Sequence, residues 1–278
     1  MRRSDNVSVE PFVAAAVLVG STLLGAQQQP SIPRSGWPCG ARLDPSYFQV
    51  AEGTGGHLLL LAPEEIGDSA TLLTAMGSHP QTIFRLAGAL RPGMHEFQVP
   101  IDPSVESVIF SISVQCLQVA HLVGPSGPPV SGDNVTDLSN FRAQRMVIVA
   151  RPEPGMWTIR VSGSGVSGVV VQARSATGIS QVQFAPVGSA TFTAVPAPGV
   201  ENVVRMQISG KSTEIRASLV SGEFRKIADL PLEASEAAGS YTSRFTPGAQ
   251  GFRVLITGKD AEGVVFQRLH APLLTAVR

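Results

Sequence analysis

Charge is scarce in this chain, aromatic rings are scarcer still, and neither sign of charge dominates. Of 278 residues 15% are charged, with 21 Lys and Arg against 21 Asp and Glu. A balance that neutral leaves no basic excess to neutralise phosphates, which excludes nucleic acid as a partner. The chain has two Trp, two Tyr and two Cys. Its five histidines, His57, His79, His95, His121 and His270, form no His-x-His or His-x3-His pair, and neither cysteine has a histidine at ligand spacing. That excludes the common zinc patterns. P-loop, dinucleotide fingerprint and Gly-x-Ser-x-Gly elbow are all missing, so nucleotide and hydrolase chemistry have no anchor in the sequence. No catalytic, cofactor or metal residue is assigned, and the chain reads as a non-enzyme.

What is present is apolar mass and turns. The chain is 43% hydrophobic, enough to fill substantial cores, and its 28 Gly and 21 Pro suit many turns between short strands. One apolar run stands out. Arg2 and Arg3 precede the uncharged stretch Phe12 to Leu24, followed by Gly25-Ala26 and the polar Gln27-Gln28-Gln29-Pro30. A stretch of about 13 residues fits an export signal and is short of the ~20 that a membrane-spanning helix needs. Cleavage after Ala26 is expected, with an uncleaved anchor or a buried helix as the alternatives. The expected compartment is therefore outside the cell, or the periplasm and cell envelope.

In that oxidising setting Cys39 and Cys116 are candidates for one disulfide, the alternative being two separate buried thiols. A bridge would close a loop of about 77 residues, for which chain entropy gives roughly 4 kcal/mol. Residues 27–43 read as a linker. Residues 44–79 read as helix, strand and helix: Asp44 caps a helix opened by Pro45, the run His57 to Leu61 lacks alternation and reads as a strand buried on both faces, and a second helix starts near Pro63.

From about Pro80 the period becomes two. Val108, Phe110, Ile112, Val114 and Cys116 share one strand face, as do Trp157, Ile159 and Val161. A second set follows Ser175. Val204, Met206 and Ile208 alternate with Arg205 and Gln207, Ile215, Ala217 and Leu219 alternate with Glu214, Arg216 and Ser218, and Phe252, Val254 and Ile256 lead to a hairpin at Gly258 to Gly263. On this pattern Arg253 points outward. The fold class is mainly β: two consecutive antiparallel sandwiches, residues 80–177 and 178–278, preceded by the short α/β segment and the signal peptide of residues 1–26. The second sandwich is expected to fold autonomously.

The segments "HEFQVPIDPSVESVIFSISV", "GPSG", "RPEPGMWTIRVSGSG" and "FRVLITGKDAEGVVFQR" resemble, in order, the region after the von Willebrand A domain in hemicentins and von Willebrand A domain-containing protein 7. The resemblance implies a galactose-binding-like sandwich followed by an immunoglobulin-like domain. Upstream, "YFQVAEGTGGHLLLLAPEEI" is similar to the end of a von Willebrand A domain. The remainder of that domain, with its metal-binding DxSxS loop, has no counterpart; Asp102-Pro103-Ser104-Val105-Glu106 starts that pattern but has Glu at the second Ser. The resemblance implies an adhesion-type module that contacts protein outside the cytoplasm. A carbohydrate-binding module is the alternative, and its flat platform would rest on Trp37, Tyr47 and Tyr241. Asp133, Asn134 and Asp137 offer oxygens in an order that matches no full calcium loop, and Asn134-Val135-Thr136 is a glycosylation acceptor by pattern. Arg142, Arg145, Arg151 and Arg160 form a loose basic series, read as a solvated sheet edge.

Overall fold

The computed structural model describes residues 15–19, 39–40, 42–138 and 141–275. Trp37 and most of the expected leader and linker lie outside them. Within the apolar N-terminal run, residues Ala15–Val19 form a strand, β1, that pairs in parallel with β2 (His57–Leu61). Between them, α1 (Pro45–Thr54) starts as its sequence dictates, the Asp44 carboxylate accepting the Ser46 N–H at 2.9 Å. It stops at Gly55, whose φ of 72° is a left-handed cap. β2 is buried on both faces. Leu59 and Leu61 pack with Leu72 and Met76, while Leu58 and Leu60 pack with Ala51. A 3-10 helix at Pro63–Asp68 then leads into α2 (Ser69–Gly77).

The middle domain is a single six-stranded antiparallel sheet: β3 (Gln81–Leu90), β4 (Met94–Ile101), β5 (Val105–Val123), β6 (Val135–Leu138), β7 (Gln144–Ala150) and β8 (Gly155–Ser175). Its order is β3-β8-β5-β7-β6. The first half of β8 pairs with β4 and the second half with β3. The sheet must fold back on itself, because Phe110 is paired in register with Val171 yet stacks on Trp157 at 5.3 Å. Along a straight strand Trp157 and Val171 would stand ~46 Å apart. Register shifts in β5 at Val105/Ser107, Val114/Cys116 and Leu117/Val119 supply the bends. The folded sheet closes over Val108, Phe110, Ile112, Trp157, Ile159 and Val171.

One of those shifts corrects an expectation. Between Val114 and Cys116 the pairing shifts because β8 carries one extra residue, and Cys116 is half-buried rather than fully buried like Val114. There it joins Cys39 in a disulfide with a Cα–Cα distance of 4.7 Å, tying the stretch before α1 to the long strand β5.

The C-terminal strands start at β9 (Gly178–Pro186), separated from the end of β8 by two residues. They continue through β10 (Asn202–Ser209), β11 (Ser212–Val220), β12 (Lys226–Leu230), β13 (Glu233–Ala234), β14 (Ser240–Phe245), β15 (Arg253–Asp260) and β16 (Val265–Leu269). Two four-stranded sheets, β13-β14-β10-β9 and β12-β11-β15-β16, face each other over Phe184, Val204, Met206, Phe252, Val254, Ile256 and Phe266. The turn after β15 is held by the Asp260 carboxylate, which accepts the N–H groups of Glu262 and Val264 at 2.9 Å. Gly263 closes it at φ 79°. Phe252, Val254 and Ile256 are buried as the alternation requires, but Arg253 is 0% exposed rather than outward-facing. The face opposite the core is covered by α1 and the chain end, so polar at that position does not mean solvated.

Candidate functional site

The fully buried charges gather where the three units meet. Glu52, near the end of α1, sits between Arg85 of β3 and Arg253 of β15, and each arginine belongs to a different sandwich. Arg85 donates from Nε and Nη2 to Glu52 Oε1 at 2.9 and 2.8 Å, and spends its other donors on the carbonyls of Ala51, Gly55 and Gly56. Arg253 donates from Nη2 to Glu52 Oε2 and from Nε to Ala271 O at 2.9 Å. One carboxylate thus serves two guanidiniums, and backbone carbonyls complete the balance. Burial pushes the Arg253 pKa down, opposed by the Glu52 charge.

Local geometry makes this closeness possible. A Cβ on Gly55 would lie 2.8 Å from Ala271 Cβ and 3.0 Å from Pro272 N, so only glycine lets α1 approach the C-terminal segment. Leu273 N–H then donates to Glu52 O at 2.7 Å.

A second junction joins only the two sandwiches. Arg268 of β16, also 0% exposed, donates to Asp102 Oδ2 at 2.7 Å, to Thr177 O at 2.8 Å and to Ser175 Oγ at 2.6 Å. Ser104 N–H and Oγ donate to the other Asp102 oxygen. The Asp-x-Ser fragment that starts the metal-loop pattern is therefore spent on seating an arginine. Beside it, Gln267 Nε2 donates to Ile83 O, and Gln81 pairs through its amide with the Ile179 backbone.

Three of the five histidines line a cavity of about 320 Å³ at the same meeting place, together with Gln81, Gln172 and Pro272. His57 and His270 are each held near a pKa of about 4, first by burial and then by the charge of Arg85 and of Arg253, respectively. His79 is lowered too, mainly by burial; its ring bonds Ala75 O and Ser107 Oγ. Both ring nitrogens of His79 are engaged, His57 Nδ1 is buried without a hydrogen-bond partner, and among the described residues no group of three or more His, Cys, Asp or Glu is placed to hold a metal ion.

The candidates read from sequence are scattered. Tyr47 is 44% exposed on α1, whereas Tyr241 is half-buried against the C-terminal core. Tyr241 lines an open cleft with Lys211, Glu214 and Lys259 that does not include Tyr47. Asn134 donates its amide to Ala150 O at 2.9 Å and Asp137 pairs with Arg145, so two of the three calcium candidates already serve the sheet. Arg142 and Arg160 likewise pair, with Glu64 and Glu96. Sequence reasoning missed Glu52, Arg85, Arg253 and Arg268. The available signal was arginine recurring inside strands whose neighbours are apolar.

Comparison with known proteins agrees with this architecture. Residues 84–176 match the family described as hemicentin galactose-binding domain-like. Hemicentin-1 of Mus musculus is 24% identical over 247 residues, 83% of this chain and 4% of that protein. Hemicentin-1 of Homo sapiens is 24% identical over 83% of this chain and 4% of its own length. Hemicentin-2 of Mus musculus is 23% identical over 86% of this chain and 5% of its own. The chain thus spans only a small part of the relatives it matches. It is a mainly β chain, similar along most of its length to one stretch of the hemicentins, and the residues that match the galactose-binding-like family lie within its middle sheet.

Proposed function

We propose that the chain is an exported, non-catalytic module that presents its two sandwiches as one stiff unit for protein contacts outside the cytoplasm. The observation that carries this reading is the use made of buried charge. Glu52, Arg85, Asp102, Arg253 and Arg268 are each committed to a partner across a boundary between units, where they hold geometry. The Cys39–Cys116 bridge supports an oxidising compartment. The likeness to hemicentins supports a structural or binding role, as an argument by analogy.

The test is to express the full chain in a secretory host and use the material recovered outside the cytoplasm as bait for extracellular proteins. Export, no free thiol in the denatured unreduced protein, and capture of a protein partner that a reduced sample fails to capture are expected. Accumulation in the cytoplasm with both thiols free would contradict the reading. Binding on a glycan array that Tyr47→Ala abolishes would replace it with the carbohydrate alternative.

A further inference from the structure

The acceptor pattern Asn134-Val135-Thr136 sits at a structurally informative place. Gly132, at φ 127°, turns the chain into β6, and Val135 N–H closes the turn on Gly132 O at 3.1 Å. β6 is the last strand of its sheet, paired with β7 on one side and open on the other among the described residues. Asn134 and Thr136 are exposed, while Val135 and Leu138 are half-buried. An open edge of this kind is a template for pairing with another chain, and folded proteins protect such edges with charge, bulges or cover. Here Asp137 is the one charge on the strand, and it is drawn to Arg145.

We propose that Asn134 carries an N-linked glycan that covers the open edge of β6. The proposal rests on the export reading, since the modification belongs to a secretory pathway. In the transfer step Asn134 Nδ2 forms a bond to C1 of the first sugar of a lipid-linked oligosaccharyl diphosphate. The bond from C1 to the diphosphate oxygen breaks, the diphosphate leaves with the electron pair, and Nδ2 gives up one proton. Its other hydrogen remains to donate to Ala150 O, so the folded turn keeps the bond it makes at 2.9 Å. Asn6-Val7-Ser8 has the same pattern but falls within the expected leader and outside the described residues.

The experiment expresses the full chain in an animal secretory cell line, once with its own N-terminus and once behind a supplied leader. Intact mass, amidase release and peptide mapping then report the state of position 134. Expected is a glycan that amidase removes, leaving Asp at 134, kept in Thr136→Ser and lost completely in Thr136→Ala and Asn134→Gln. Thr136→Ala preserves the Asn134 side chain, so its loss of glycan cannot be a loss of the turn bond. The Thr136→Ala protein, which lacks the glycan and keeps Asn134, should also self-associate at concentrations where the glycosylated protein is monomeric. Secreted protein with unmodified Asn134 in the supplied-leader arm would overturn the site. A glycan whose loss in Thr136→Ala leaves self-association unchanged would overturn the edge-covering role. Modification only behind the supplied leader would uphold the site and reject export by the native N-terminus.

Discussion

Inside each sandwich the large buried side chains are mostly apolar and follow one another with period two. At the boundaries between the units, arginines and carboxylates are buried just as deeply. The contrast separates two jobs. Apolar burial is non-directional and makes each core stable in proportion to area, but it tolerates sliding. A carboxylate shared by Arg85 and Arg253 has directions and lengths that only one arrangement of the three units satisfies. Buried ion pairs are poor sources of net stability, because desolvation offsets their attraction, yet removing one partner leaves an uncompensated charge. The junctions therefore set how the units are placed, and the cores set whether they fold.

That division is most sharply broken at Glu52. Glu52→Ala strands two buried guanidiniums at once and should cost about 5 kcal/mol, at the top of the range for breaking a buried pair. Arg253→Ala and Phe252→Ala should each cost about 3–5 kcal/mol, one by leaving Glu52 half-paired and the other by opening a core cavity. Urea melts of the three variants decide it. A loss under 1 kcal/mol for Arg253→Ala would restore the outward reading of that side chain.

The C-terminal sandwich offers a finer test. Its core draws on residues from β9 onward, Leu274 beyond β16 included, but Arg253 and Arg268 have their carboxylates upstream. Residues 178–278 should melt cooperatively at lower urea than the full chain does. Arg253→Met with Arg268→Met should raise the fragment's midpoint while lowering that of the full chain. The same sign in both would mean that the junction charges do not matter.

Acid sharpens the comparison further. His57 titrates near 4 in the folded chain against an ordinary 6.5, so between those values the unfolded chain binds more protons. Stability is full above pH 6.5 and falls as pH drops toward 4, by roughly 3 kcal/mol from His57. His270 acts in the same direction. Urea midpoints measured at pH 7, 5 and 4 should decline, and His57→Gln should flatten the decline. The smallest effect is at the surface: Arg225 and Glu223 are paired but 81% and 62% exposed, so Arg225→Ala should change the melt by under about 0.5 kcal/mol.

Much of the architecture is legible in the residues, for reasons that are local. Val204, Met206 and Ile208 alternate because one face of β10 meets the core, and Asp44-Pro45 opens α1 because a cap and a fixed φ act within one turn. The unbroken apolar run His57 to Leu61 correctly marks a strand covered on both sides. What could not be read depends on partners far along the chain. Arg253 looks solvated because its neighbours point the other way, and the residue that covers it is Glu52, 201 positions upstream. Cys116 looks fully inward because the row Val108 to Val114 runs straight into it, and the extra residue that shifts the pairing there lies on β8, far along the chain. Tyr241 looks available to a sugar until its contact with the C-terminal core is seen.

The central claim, that the buried junctions make the α/β segment and both sandwiches one body, is tested most directly by calorimetry of the full chain. The account predicts a single transition whose van't Hoff and calorimetric enthalpies agree, and a split into two transitions when Glu52→Gln is combined with Asp102→Asn. Two resolved transitions in the unaltered chain, each insensitive to those substitutions, would contradict it.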